Sequence, residues 1–281
     1  ISSLARLRDP RAYQAFVSVL NDDSPDVRNA AVRALGAVKD STAVPGLIQA
    51  LGDDEEKVRL SAVNALREFD DARTLGPYTR LLSDPSAEVR VAAARALGEL
   101  HDDAVIAPLT SAAQRDSVPG VRRAALGGLA RFYRPTVVAP MMAALSDDES
   151  AVRITAARAI GQLAEFHRGR RAQAHNSYAG MVDALPQAVP GLIATIDHDD
   201  SDVREAVART LGYLRDTRAV DALIAALQDG ASDVRKEAIR ALGRIHDERA
   251  IDPIIALLQD ADSEVRRAAV RTLGQFPAQR H

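Results

Sequence analysis

The chain is 281 residues long, 47% apolar and 27% charged, with a formal net charge of −3 at pH 7. That balance gives no argument for a nucleic-acid or anionic-membrane partner. Cysteine is absent, which excludes disulfides, thiolate metal sites and cysteine nucleophiles. Aromatic residues make up only 4% and Trp is missing, so the core has to be built from Ala, Val and Leu in close contact. No apolar run is long enough to span a bilayer. The opening "ISSLARLRDP" has no Met and no signal-peptide layout, so the chain reads as a piece of something longer, expected in the cytoplasm.

Taken from the N-terminus, "LARLRDPRAYQAFVSVLNDD" reads as the second half of a two-helix unit, with Leu4 in the place that Leu35 takes later. The first complete unit opens at Asp26. Val27, Ala31, Ala34, Leu35 and Val38 fall at spacings of three and four, one apolar stripe of a helix. "KDST" breaks the pattern. Val44, Leu47, Ile48 and Leu51 then make a second stripe, with Pro45 in its first turn, where a missing N–H costs nothing. From there the chain repeats itself. Val-Arg pairs recur at Val27, Val58, Val89, Val121, Val152, Val203, Val234 and Val265, in steps of 31, 31, 32, 31, 51, 31 and 31 residues. Seven residues after each arginine stands Leu35, Leu66, Leu97, Leu129, Ile160, Leu211, Leu242 or Leu273. Glycine usually follows; Arg67 and Ala130 are the exceptions. Ser201, Ser232 and Ser263 are predicted N-caps of their helices. The 51-residue step carries an insertion over 165–185, within the fifth Val-Arg repeat, and the helix from Val265 to Phe276 has no second helix after it.

Such a hairpin cannot bury its apolar faces alone, so the units must stack into a solenoid with a continuous core. The prediction is a single array over 1–281 with a truncated repeat at each end. The recurrent glycine is expected to clear room where the second helix crosses, offsetting its cost of about 1 kcal/mol relative to Ala. The pattern Val-Arg-x-x-Ala-x-x-Ala-Leu-Gly, followed by Ala-Val-x-x-Leu-Ile-x-Ala-Leu, resembles HEAT-like repeats of the phycobilisome-lyase type. The resemblance implies an all-α fold, a right-handed α-solenoid (superhelix) of about eight stacked HEAT-like helix-turn-helix repeats. The family it resembles includes bilin lyase subunits, a metal-dependent deoxyhypusine hydroxylase and many interaction scaffolds.

An arginine in the first turn of a helix faces the positive end of the helix dipole. Its recurrence at Arg28, Arg59, Arg90, Arg122, Arg153, Arg204, Arg235 and Arg266 therefore calls for a partner. Asp22, Asp53, Asp84, Asp116, Asp147, Asp229 and Asp260 stand just upstream, with His198 breaking the series. The expectation is a structural ladder in which each guanidinium forks to carboxylates and helix-end backbone groups. A basic stripe for nucleic acid is the competing reading, and the matching carboxylates would neutralise it. A further series, Arg33, Arg95, Arg158, Arg209, Arg240 and Arg271, is expected on a solvated outer face.

No catalytic constellation emerges. The hydroxylase of the resembled family binds iron through His-Glu pairs; this chain has His-Asp at His101 and His246, four units apart, and no His-Glu. A Gly-rich phosphate loop, a nucleophile elbow and His-Glu-x-x-His are all missing. Neither a cofactor nor a metal is called for.

Candidate partner-binding residues fall in two places. The insertion concentrates His167, Arg168, Arg170, Arg171, His175 and Tyr178, a basic cluster suited to an acidic protein segment or another anion. If the second helices line the binding face, as in related HEAT-like solenoids, one exposed row reads Ser18, Gln49, Arg80, Ser111, Ala143, Ala194, Ala225, Ala256. Another reads Arg11, Thr42, Arg73, Ala104, Thr136, Gln187, Arg218, Arg249. The first is a mostly small floor for a helix or an extended peptide, without aromatic platforms for bases. The expected function is a non-catalytic scaffold binding another protein or peptide. A bilin-lyase-like accessory subunit and a nucleic-acid-binding HEAT-like protein, such as a base-excision enzyme, are the alternatives.

Overall fold

The computed structural model describes residues 10–38, 40–69, 71–170 and 180–276, with the side chains of 10–12 and 170 outside that set. Among the described residues every regular element is a helix. The chain divides into two compact units, Ile1–Phe132 and Tyr133–His281.

The first unit runs α1 (Pro10–Ser18), α2 (Pro25–Val38), α3 (Val44–Ala50), α4 (Glu56–Leu66), α5 (Leu75–Leu81), α6 (Ala87–Glu99), α7 (Ile106–Arg115) and α8 (Pro119–Leu129). Longer first helices carry the Val-Arg starts, and shorter second helices alternate with them. Successive first helices pack side by side, α2 on α4, α4 on α6 and α6 on α8. Each second helix lies more against the next repeat's first helix than against its own. The core is the predicted stripe: Leu35, Leu66, Leu97 and Leu129 are fully buried, as are Leu47 and Leu109 of the second helices, with alanines between them. Small side chains let the helices approach closely, which is how an interior without Trp reaches native density.

The second unit runs α9 (Val138–Ala143), α10 (Ser150–Arg170), α11 (Met181–Ala184), α12 (Val189–Thr195), α13 (Ser201–Leu214), α14 (Val220–Ala226), α15 (Ser232–Ile245), α16 (Ile251–Ala256) and α17 (Ser263–Leu273). The same packing recurs, α10 on α13, α13 on α15 and α15 on α17. A short 3-10 turn leads into most second helices, and an aspartate closes it. Asp71, Asp102, Asp216 and Asp247 each accept the backbone N–H two residues on.

Two expectations are corrected. Ser201, Ser232 and Ser263 are the first residues of their helices, and the caps fall one position earlier. Asp200 and Asp262 hold those caps with their carboxylates, while Ala231 makes no side-chain cap. The recurrent glycine, in turn, makes room for the next first helix instead of the second helix. A Cβ added at Gly98 would lie 2.5 Å from Gly128 Cα, and one at Gly212 would lie 2.7 Å from Ala241 Cα. Only a residue without a side chain permits backbones that close.

Candidate functional site

The joints between repeats come first, because they decide which charges are free. In the first unit Arg59 donates from Nε and Nη2 to the two oxygens of Asp84, at 2.7 and 2.9 Å. Its Nη1 donates to the carbonyls of Asp53 and Asp54, at 2.8 and 2.9 Å. One guanidinium thus ties its own loop to the loop of the next repeat. Arg28 forks to Asp53, Arg90 to Asp116, Arg204 to Asp229 and Arg235 to Asp260 in the same way. Each aspartate also closes its own turn, Asp84 Oδ1 accepting the Ser86 N–H at 2.8 Å. Arg122 and Arg266 donate to the loop carbonyls of Asp116 and Asp260, at 2.9 and 2.6 Å. Asp22 closes its turn on Ser24 and Asp147 on Glu149. The Arg28 fork holds the Asp53 carboxyl below the usual carboxylate range, and Arg235 does the same for Asp260. At Asp229 burial pulls upward, but the Arg204 fork and the Ala231 N–H outweigh it, and the pKa is lowered.

One joint differs. Where the pattern places an aspartate, the second unit has His198. Its Nδ1 accepts the Asp200 N–H at 3.0 Å, so the turn survives. A neutral imidazole has no second acceptor to offer a guanidinium. Arg153 instead donates from Nη1 to the Asp147 carbonyl and from Nη2 to Ser150 Oγ at 2.9 Å. Its Nε is buried with no acceptor.

The outer faces carry the candidate partner surface. Ser18, Gln49, Arg80, Ser111, Ala143, Ala194, Ala225 and Ala256 are all exposed. So are Thr42, Arg73, Ala104, Thr136, Gln187, Arg218 and Arg249; the Arg11 side chain lies outside the described residues. Three of those arginines are held by the aspartates that close their own turns. Arg73 forks to Asp71, Arg218 to Asp216 and Arg249 to Asp247. Arg249 reaches Asp221 as well, at 2.8 Å. On the opposite helices, Arg33, Arg95, Arg158, Arg240 and Arg271 are exposed, while Arg209 is half-buried against Glu205 and Glu237.

Helix α10 runs on to Arg170, so the first part of the insertion is a lengthened first helix. Phe166 stacks on Tyr133 with ring centroids 3.4 Å apart. Arg168 is half-buried and donates to the Tyr213 carbonyl, and His167 is half-buried beside it in sequence. Met181 and Leu185 are buried, so the far end of the insertion joins the core. The Arg170 side chain, Arg171, His175 and Tyr178 lie outside the described residues.

A cleft of mixed lining lies in the first unit, bounded by Leu66, Arg67, Asp71, Thr74, Tyr78, Ala96, Glu99 and Leu100. Sequence reasoning places none of these in a site: Leu66 reads as core, and Arg67 only as a break in the glycine series, which is the one signal available. Among the described residues no group of His, Asp and Glu could hold a metal ion, and no helix is long and apolar enough to cross a membrane.

Paired helices stacked through repeated joints define an all-α helical-repeat protein of the solenoid class. The chain belongs to the HEAT-repeat family, whose model matches residues 1–57, 44–130, 106–174, 171–235 and 220–280. No curated protein shows a significant match. Among solved structures, Kap95p from a complex with RanGDP is 17% identical with a TM-score of 0.68, over 95% of this chain and 40% of that one. An engineered protein is 22% identical with a TM-score of 0.61, over 97% and 83% of the two chains. The CpcE–CpcF phycocyanin lyase of Nostoc sp. PCC7120 is 20% identical over 94% of each chain, with a TM-score of 0.46.

Proposed function

We propose that this chain is a non-catalytic scaffold that binds a protein or peptide along the exposed row of its second helices. One observation carries the reading. That row is exposed at every position from Ser18 to Ala256 and, Arg80 apart, bears no charge. A surface of small uncharged side chains lets a partner's backbone or helix come close without desolvating ions. Nucleic acid needs free cations to meet phosphates; here Arg28, Arg59, Arg90, Arg204 and Arg235 are already forked to carboxylates. The insertion adds less, since Arg168 is bonded to the Tyr213 carbonyl. The same fold meets a protein partner in Kap95p with RanGDP.

Photo-crosslinking residues placed singly at Ser111, Ala194 and Ala225 test this against matched sites at Arg95 and Arg240. The expected result is one shared polypeptide adduct from the first set and none from the second. Adducts confined to the second set, or adducts that nuclease removes, overturn the proposal.

A further inference from the structure

At one joint of the first unit the repeat pattern is broken in three places together. Arg67 stands where Gly36, Gly98 and Gly212 stand elsewhere. Tyr78 occupies the position of Leu47 and Leu109, and Thr74 that of Ala43 and Val105. The substitutions share a consequence. At Gly36 an added Cβ would meet Ala65 Cβ at 2.7 Å, so adjoining first helices touch there. At Arg67 a long side chain sits in that position, and a cleft of about 80 Å³ opens beside it. That is room for two or three water molecules at roughly 30 Å³ each.

The hydrogen-bonding groups of the cleft are unevenly used. Asp71 accepts from Arg73 Nε and Nη2 and from the Arg73 N–H. Glu99 accepts from Arg67 Nε at 2.7 Å and from Nη2, with Arg131 Nη1 3.7 Å away. The Thr74 hydroxyl donates to the Asp71 carbonyl at 2.7 Å. The acceptors are therefore occupied. Two donors are not well used. Tyr78 is 1% exposed, and its hydroxyl makes only a long 3.4 Å bond to the Val63 carbonyl. A phenol already keeps its proton at neutral pH, and burial pushes this one further up, so it stays a donor. Arg67 Nη1 has no hydrogen-bond partner among the described residues. Around the cleft three guanidinium groups (Arg67, Arg73, Arg131) are balanced by three carboxylates (Glu68, Asp71, Glu99), so the donors left over are those of Arg67 and Tyr78.

We propose that this cleft binds a small carboxylate, with Arg67 and Tyr78 donating to its oxygens and Leu66, Ala96 and Leu100 enclosing its methyl or methylene stem. The carboxylate is acetate-sized, either a free small acid or the acidic side chain of a peptide. The site stands apart from the second-helix row and goes beyond the scaffold reading.

The test is an amide NMR titration of the whole chain with sodium acetate, using acetamide as the uncharged isostere. Acetate should produce saturable shifts at Leu66, Arg67, Tyr78 and Leu100, and acetamide none. Tyr78→Phe removes one oxygen and should weaken binding about tenfold or more, in line with a hydrogen bond to a charged group. Arg67→Gly restores the repeat pattern and should abolish it; the amide spectrum of each variant reports whether it is folded. A capped Ala-Ala-Asp-Ala peptide that binds tighter than acetate, and loses this with Asn, assigns the site to peptide side chains. Acetate binding without peptide binding assigns it to a free acid. Shifts that never saturate, or that persist unchanged in folded Arg67→Gly, overturn the proposal. No protein partner enters this titration, so its failure leaves the crosslinking result untouched.

Discussion

The joint at Arg59 and Asp84 and the joint at Arg153 and His198 share a turn and differ in one side chain. In the first, the guanidinium has two carboxylate oxygens and two loop carbonyls. In the second it has a carbonyl and a serine hydroxyl, and Nε is left without an acceptor. The comparison separates two roles of the joint aspartate. Closing the turn needs a single acceptor, which imidazole supplies at Nδ1. Pinning the preceding repeat needs two acceptors in one plane, which only a carboxylate supplies. The joint without the fork is also the one beside the lengthened α10, where Phe166 stacks on Tyr133 and Arg168 donates to the Tyr213 carbonyl.

The largest way to sharpen that contrast is Asp84→Ala. The Arg59 and Asp84 side chains are only 10% and 4% exposed, so the change strands a buried cation. A loss of about 3 to 5 kcal/mol is expected, read as a fall in the urea midpoint. Arg153→Ala should lose about 1 kcal/mol, since no forked pair is broken there. Equal losses would remove the distinction between the two joints.

Close packing of first helices gives a second contrast. Gly212→Ala places a Cβ 2.7 Å from Ala241 Cα and should destabilise by about 1 to 3 kcal/mol. Gly127→Ala, with nothing within 4 Å, should stabilise by up to about 1 kcal/mol through helix propensity alone. Thermal melts of both variants check the signs.

A smaller and more distributed effect is set by pH. Asp53 and Asp260 are lowered by their arginine forks, and Asp71 is lowered to about 2 by Arg73 and the Arg73 N–H. With folded values below the unfolded 3.8, the folded chain binds fewer protons. Stability from these groups is complete above about pH 4 to 5 and is lost as the pH falls toward about 2. Melting midpoints should be flat from pH 7 to about 5 and then fall; a midpoint that rises on acidification contradicts the assignment.

Much of this was legible in the sequence. The first helices show because Val-Arg and the leucine seven residues on recur at fixed steps, and the joint residues show because they recur with them. The register of each fork did not show: Asp53 lies 6 residues before Arg59 and 25 after Arg28, and spacing alone fits either pairing. The glycine's neighbour was misassigned because both a second helix and the next first helix cross that region. The caps slipped by one because Asp200 and Asp262 adjoin Ser201 and Ser263, and both residue types cap helices. Tyr78 and Thr74 stayed hidden because they occupy positions of the apolar stripe. The insertion's return to the core was signalled by Met181 and Leu185, apolar and four residues apart.

The central claim is that a carboxylate one repeat on is what pins each Val-Arg arginine. His198→Asp tests it most directly, in a double-mutant cycle with Arg153→Ala measured by urea unfolding. The account predicts that the substitution stabilises the chain, with a coupling of about 1.5 to 3 kcal/mol between residues 153 and 198 that is near zero in the histidine form. A coupling of the same size with histidine, or none with aspartate, would contradict it.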